Sequence, residues 1–243
     1  MRLDHPDVPW AVPDFARHRR KGIPEVILAD RKAPSHTVEI VARFLEREGR
    51  AILSRVPAAL EAELQGRYGG DPAVEVEWLP ETRAMVLRRA GFRLPTTGGR
   101  VGVLTAGTSD VPVAEEAALV CRETGCQVRR VYDVGVAGLH RLFEPLRDLL
   151  AEFDADVLVV VAGMDGALPS VVSGLVDVPV VGIPTSVGYG IGGEGVAALY
   201  SMLQTCAPGL AVVNIDNGIG GGAMAALIAN RAARARLGEG VAR

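Results

Sequence analysis

Aromatic residues are scarce, at 5% of the chain, and that scarcity argues against a platform for stacking nucleic-acid bases. Charge of one sign is missing too. Lysine and arginine number 26 against 29 acidic residues, a net charge of −3, so no nucleic-acid partner is expected. Single nucleotides, which need only local donors, are untouched by this argument. Cysteine is limited to Cys121, Cys126 and Cys206. An odd count with no CxxC pair and no Cys/His cluster at zinc spacing points away from a disulfide framework or a zinc site, and fits a reduced, cytoplasmic setting. Residues Met1–Asp7 hold no apolar run of the secretory kind. One long uncharged stretch exists, Gly195 to Ile215, long enough to cross a bilayer. Gln204, Pro208, Gly209 and Asn214 interrupt it, so it reads as a helix, a turn and a buried strand, and no membrane partner is expected. Neither GxSxG nor HExxH occurs, and no Walker A lysine follows a glycine-rich turn, which leaves the common hydrolase, zinc-protease and P-loop readings without support.

What is present is a chain of 243 residues, 49% of them apolar. That is enough to bury a core without disulfides or metals, and it excludes disorder and coiled coil. Two regions differ. Residues 1–97 carry dense charge, as in Arg17-His18-Arg19-Arg20-Lys21 and Glu46-Arg47-Glu48. The apolar spacing of Val38, Val41, Ala42 and Leu45 predicts a helix over 37–48. Ala51-Ile52-Leu53 and Val74–Trp78 read as short strands, so this is a smaller α+β region. Pro95–Gly99 reads as a linker. Residues 98–243 change pattern. Val101–Leu104, Val128–Tyr132, Val157–Val161, Val178–Ile183 and Ala211–Ile215 are β-branched, mostly uncharged runs. Helical stretches at 111–124, 139–152, 167–176, 194–205 and 222–236 follow them. Apolar strands alternating with helices predict a doubly wound, flavodoxin-like parallel sheet. Ligands of such a sheet sit beyond the carboxyl ends of its strands.

Five loops lie there. Thr105–Asp110 offers Gly107 for close backbone approach, and Ser109 or Asp110 as a helix cap beside amides that can hold a phosphate. A plain capped turn is the alternative. Asp133–His140 carries Gly135 and His140, the latter favoured as a helix-surface residue. Ala162–Pro169 sets Asp165 between Gly163 and Gly166, where a carboxylate can do acid–base work or simply cap a helix. Pro184–Gly193 contains a literal GxGxxG at Gly188, Gly190 and Gly193. A dinucleotide fingerprint belongs in the first βα turn, not the fourth, so this reads as a flexible loop over a ligand. Asn214–Gly222 follows a buried strand with polar residues and glycines, and could equally be a flexible crossover. Cys206 stands where Pro208 and Gly209 end a helix. A helix C-terminus does not stabilise a thiolate, although a cationic ligand would. Taken alone, such a cysteine is more often a small buried hydrophobe.

Gly107-Thr108-Ser109-Asp110, Tyr132–Gly138, Val161–Met164, Pro184–Gly190 and Val213–Gly218 together resemble the LarB family, pyridinium-3,5-biscarboxylic acid mononucleotide synthases that begin nickel-pincer cofactor biosynthesis. Residues 98–243 also look like the wider PurE group of aminoimidazole ribonucleotide carboxylases and mutases. Gly22–Ile27 matches the N-terminal segment of the LarB family, which PurE enzymes lack.

The resemblance implies carboxylation of nicotinic acid adenine dinucleotide at ring C5, with hydrolysis of its phosphoanhydride to release AMP. Cys206 matches the family's nucleophile. Asp165 stands where the family usually has glutamate, one methylene longer, and is assigned as proton acceptor. Substrate contacts are expected from Gly107, Thr108, Ser109, Asp110, Asp133, Gly135, Gly163, Met164, Gly166, Ala167, Thr185, Ser186, Gly188, Tyr189, Gly190, Asn214, Asp216 and Asn217. Ser109 and Asp110 match the PurE-like phosphate and ribose loop. The resemblance further implies CO₂ or bicarbonate as co-substrate, a requirement for Mg²⁺ without a tightly bound cofactor, and a homo-oligomer, an octamer as in the PurE group. Two departures stand out. PurE enzymes carry a catalytic histidine in the third loop, where this chain has Met164-Asp165-Gly166-Ala167. Asp30–Thr37 is longer than the family's usual glycine-lysine turn. A PurE-type carboxylase or mutase, and a non-catalytic nucleotide-binding protein, are the alternatives.

Overall fold

The structure is a computed structural model, and it describes residues 11–238; Met1–Asp7, read above for a signal, lies outside them. The chain forms two compact units, meeting at Arg93 and Leu94.

The first unit carries α1 (Arg17–Lys21), β1 (Ile27–Leu28), α2 (Pro34–Glu48), β2 (Arg50–Ser54), α3 (Ala58–Tyr68), β3 (Val74–Leu79) and β4 (Ala84–Arg89). Its sheet runs β1-β2-β4-β3, with β1 parallel to β2 and the other pairs antiparallel. The register sets Ala51 opposite Leu87 and Leu53 opposite Met85. Because side chains alternate between faces, these four share one face. Val38, Val41, Phe44 and Leu45 of α2 and Leu60 and Leu64 of α3 close over it. The α+β expectation holds, and α2 starts three residues before the predicted helix because Pro34 suits a first helical position. β1 and β4 are short apolar runs with no period of their own, whereas α3 carries a helical spacing in Leu60, Leu64 and Tyr68.

The second unit alternates strand and helix: β5 (Arg100–Thr105), α4 (Val111–Arg122), β6 (Gln127–Val131), α5 (His140–Ala151), β7 (Val157–Ala162), α6 (Ala167–Ser173), β8 (Val180–Pro184), α7 (Val196–Leu203), β9 (Leu210–Val212) and α8 (Gly218–Arg236). All five strands are parallel, in the order β6-β5-β7-β8-β9. Counted within this sheet, that is 2-1-3-4-5, the flavodoxin-like order. Every residue of β7 is buried because helices cover both faces. Leu142, Leu146 and Leu149 of α5, Leu168 and Val172 of α6, and Ala198 and Met202 of α7 pack with Leu104, Leu158 and Val160. On the other face α8 lies against α4. A Cβ on Gly222 would fall 2.4 Å from the Ala117 carbonyl oxygen, and one on Gly221 would meet Ile183 at 2.3 Å. α8 begins at Gly218 rather than 222 because Asn217 caps it by accepting the Gly220 N–H at 2.8 Å.

Pro95–Gly99, read as a linker, follows directly on the division between the two units and is fastened to the second. The Thr97 N–H donates to the Gly125 carbonyl at 2.9 Å, its hydroxyl to Asn230 at 2.5 Å, and the Gly99 carbonyl accepts from Gln127 at 2.8 Å. The uncharged stretch 195–215 divides into α7, a turn and β9 as expected, but β9 is not the buried strand its composition suggested: it is the edge of the sheet and none of its residues is fully buried. No helix among the described residues is long and apolar enough to cross a membrane.

Candidate functional site

The strand order, though not the strand direction, reverses between β5 and β7, so the crevice of the sheet opens beside the loops after these two strands. Backbone strain gathers at this carboxyl edge. Of the seven non-glycine residues with positive φ among the described residues, Asp133 (58°), Met164 (47°), Glu194 (60°) and Asp216 (54°) all stand on its loops. Aspartate tolerates the left-handed region, but methionine and glutamate have no local hydrogen bond to favour it. Such strain persists only where surrounding contacts impose it.

Asp110 ties two of these loops together. Its carboxylate is buried and both oxygens are engaged: Oδ2 accepts the Gly107 N–H at 2.9 Å and Oδ1 accepts the Thr185 hydroxyl at 2.7 Å. Burial pushes the carboxyl above its usual value, and the negative charge of Asp216 adds to this; Thr185 and the amides of Gly107 and Gly163 pull the other way. Asp110 therefore ties the first loop to the fourth. It does not cap α4, whose first turn accepts no side-chain cap. The fourth and fifth loops are joined by Asp216, which accepts the Ser186 N–H at 2.8 Å and donates its own N–H to the Pro184 carbonyl. The third loop is pinned to the fourth by the Met164 N–H, which donates to the Val187 carbonyl at 2.9 Å. Space allows nothing larger there: a Cβ on Gly163 would lie 2.2 Å from that carbonyl oxygen, and one on Gly166 2.6 Å from the Ala198 backbone. Gly135 fits as closely against the Ala106 carbonyl oxygen, which receives its N–H at 2.9 Å.

Above this tied floor several expected site residues reach solvent. Thr108, Ser109, Met164, Asp165, Ser186, Tyr189 and Asn214 are exposed. Asp165 accepts the Ala167 N–H at 3.3 Å, but the N-cap position of α6 is Gly166 and not Asp165, and the aspartate side chain stays accessible. The GxGxxG segment makes no dinucleotide turn: Gly188–Gly190 is exposed and ends in a short 3-10 turn, Gly190–Gly192. Asn214 and Asn217 both use their side-chain oxygens on local amides, of Ile215 and Gly220. His140 is exposed at the start of α5, as favoured.

Cys206 is exposed, not a buried hydrophobe. It is also at the other end of the sheet. It follows α7 and precedes β9, its neighbour Ala207 faces Gly174 at the end of α6, and the Gly209 carbonyl accepts from Val180 at the start of β8. All of these mark the amino edge. At about 3.3 Å per residue, the length of β8 separates the two edges by roughly 15 Å. Within one chain, Cys206 and Asp165 are not brought together.

Two carboxyl-edge residues escaped the sequence reading. Arg141, the second residue of α5, donates to the Asp133 carboxylate at 2.7 Å and to its carbonyl at 2.5 Å. Glu194 is exposed in its strained conformation between Gly193 and Gly195. A basic residue on a helix and an acid in a glycine loop look like ordinary surface in sequence. Among the described residues no group of three or more His, Cys, Asp or Glu side chains is placed to hold a metal ion.

Comparison with known proteins adds two family matches. Residues 5–89 match the model described as LarB/PurE-like N-terminal domain, and residues 100–238 match AIR carboxylase. An uncharacterized protein of Methanocaldococcus jannaschii is 39% identical over 216 residues, covering 89% of this chain and 82% of that one. The N5-carboxyaminoimidazole ribonucleotide mutase of the same organism is 32% identical over 118 residues, 48% of this chain and 69% of the mutase. Among solved structures, Treponema denticola PurE covers 59% of this chain and 99% of its own, with 18% identity and a TM-score of 0.41.

Proposed function

Since the chain belongs to the LarB family, with a PurE-like AIR-carboxylase domain behind the family's N-terminal domain, we propose that it makes pyridinium-3,5-biscarboxylic acid mononucleotide and AMP from nicotinic acid adenine dinucleotide. The observation that carries this reading is the pairing of those two domains in one chain. PurE-type enzymes are its nearest alternative in chemistry, and the mutase relatives favour that reading for residues 100–238 alone. Against it, the third loop offers Met164 and Asp165 and no histidine.

The chemistry needs a thiolate because a pyridinium ring is too electron-poor to attack CO₂. Addition of the Cys206 thiolate at C4 forms a C–S bond and moves an electron pair to the ring nitrogen. C5 of the resulting dihydropyridine is an enamine carbon, and it attacks CO₂ to form the new C–C bond. Asp165, accessible at the crevice, takes the C5 proton, and expulsion of the thiolate restores the pyridinium. Water cleaves the phosphoanhydride. Ser109 and the strained loops would hold the mononucleotide half, with Arg141 as a phosphate contact. Mg²⁺ would travel with the substrate's phosphates; the described residues build no ligand cluster for it, and no step is assigned to it.

The separation of Cys206 from Asp165 supports one addition to this reading. The thiol at each site comes from a second copy of the chain, consistent with the expected homo-oligomer. Mixing tests it: Cys206→Ala and Asp165→Asn proteins, each inactive, should together recover about a quarter of the wild-type rate after subunit exchange, the random-assortment fraction for a shared site. A mixture that stays inactive after demonstrated exchange contradicts the shared site.

A further inference from the structure

Helix α7 has an unusual outer surface for a helix that faces water. Ala198 and Met202 turn inward on the sheet. The opposite side shows Val196, Tyr200 and Leu203, at helical spacing and 43%, 66% and 62% exposed. No charged residue lies anywhere from Gly195 to Ile215. Helix α5, which packs into the same core cluster, is the contrast, because Glu144 and Arg147 stand on its outer side. A helix that is apolar all round is normally a covered one, and a contiguous exposed apolar patch marks an interaction surface.

The stripe continues past both ends of the helix. Tyr189 and Ile191 stand exposed before it, at the carboxyl edge of the sheet. Leu175 stands exposed at the amino edge, beside Gly174, whose Cβ position faces Ala207. Together the six side chains offer roughly 800 Å² of exposed surface, about the share that one partner gives to a standard interface.

We propose that α7 is covered by α7 of a second copy, the two helices running antiparallel across a two-fold axis near Tyr200. A partner bearing charge would have to desolvate it against this face without compensation. The face can meet its own image with no like-charge repulsion. Tyr200 stands between Val196 and Leu203, so an axis there sets Tyr200 against itself and Val196 against Leu203 of the second copy, a self-complementary contact. The arrangement also supplies what each copy lacks. α7 runs from the carboxyl edge to the amino edge, so the reversed helix brings the turn with Cys206 of the second copy beside the first turns of α7. Asp165 belongs to that level, because its neighbour Gly166 fits against the Ala198 backbone. By the same symmetry the second site is completed in return. The pairing of the helices stands on exposure and charge; that it completes the site rests on the reaction proposed above.

Charge swapping at the axis tests it. Tyr200→Glu and Tyr200→Lys, each at an exposed position, should leave the circular dichroism unchanged. Either variant alone sets like charges face to face, so light scattering at low salt should read half the wild-type mass or less. Mixed one to one, the two variants should recover the wild-type mass, and turnover with it. Either variant alone at the wild-type mass overturns the pairing, and so does a monomeric wild type or a mixture that stays dissociated. Dissociated variants that keep full turnover overturn the completed site and leave the pairing supported. Wild-type assembly that responds to the swap but makes no product refutes the reaction and leaves the pairing supported.

Discussion

The two edges of the five-stranded sheet are built differently. At the carboxyl edge, Asp110, Thr185 and Asp216 lace the loops together, and four non-glycine residues are held at positive φ. At the amino edge, Cys206 stands exposed in the short turn between α7 and β9. One edge is a preorganised cradle with no thiol; the other presents a thiol with no cradle. A parallel sheet cannot bring its own two edges together, so a reaction using both draws them from different copies.

Variants can break this contrast. The largest effect is expected from Cys206→Ala, which should abolish product formation, a loss of about a thousandfold or more. Mass spectrometry of reaction mixtures reads it, and circular dichroism should be unchanged because the side chain is exposed. Next comes packing. Gly163→Ala would force a Cβ to within 2.2 Å of the Val187 oxygen and should cost about 1–3 kcal/mol in urea unfolding. Gly174→Ala at the amino edge is the matched control. A Cβ there meets nothing closer than 3.6 Å and φ is −77°, so a change within about 0.5 kcal/mol is expected. Equal losses at the two positions would erase the difference between the edges.

Asp110→Asn comes third. An asparagine oxygen can still accept the Gly107 N–H, but its amide nitrogen can meet Thr185 only if that hydroxyl turns from donor to acceptor, for a loss of about 1–2 kcal/mol. The pH dependence follows from the raised pKa. The folded protein holds this proton more tightly than the unfolded chain, so the group favours folding most below its ordinary value of 3.8 and less as pH rises through its folded value. Unfolding measured from pH 3.5 upward should show that decline weakened in the variant. The smallest stability effect is expected from Arg141→Ala. Its ion pair with Asp133 is well exposed, so unfolding should shift by no more than about 0.5 kcal/mol, while KM for the dinucleotide rises if the arginine meets phosphate.

Much of the second unit was legible because strands buried on both faces read as unbroken apolar runs, and the loops between them could be placed in order. Strand ends were less so. β9 stops at Val212 rather than Ile215, because the Asn214 side chain turns back on the Ile215 amide and Asp216 is drawn to the Ser186 amide of the fourth loop. The role of Asp110 was hidden, since sequence shows a carboxylate after glycine but not that Thr185, 75 residues away, donates to it. The placement of Cys206 was available: a residue between a helix and the next parallel strand falls on the amino edge. Chain order alone therefore set Cys206 apart from Asp165, whereas matching loops to a family did not. Thr97 shows the reverse limit, a linker composition fastened by tertiary bonds to Gly125 and Asn230.

The most direct test of the proposed reaction is to incubate the wild-type protein with nicotinic acid adenine dinucleotide, bicarbonate and Mg²⁺ and follow the products by mass spectrometry. The account predicts AMP together with an equal amount of a mononucleotide carrying one additional carboxylate. AMP with an uncarboxylated mononucleotide, or no turnover at all, would contradict it.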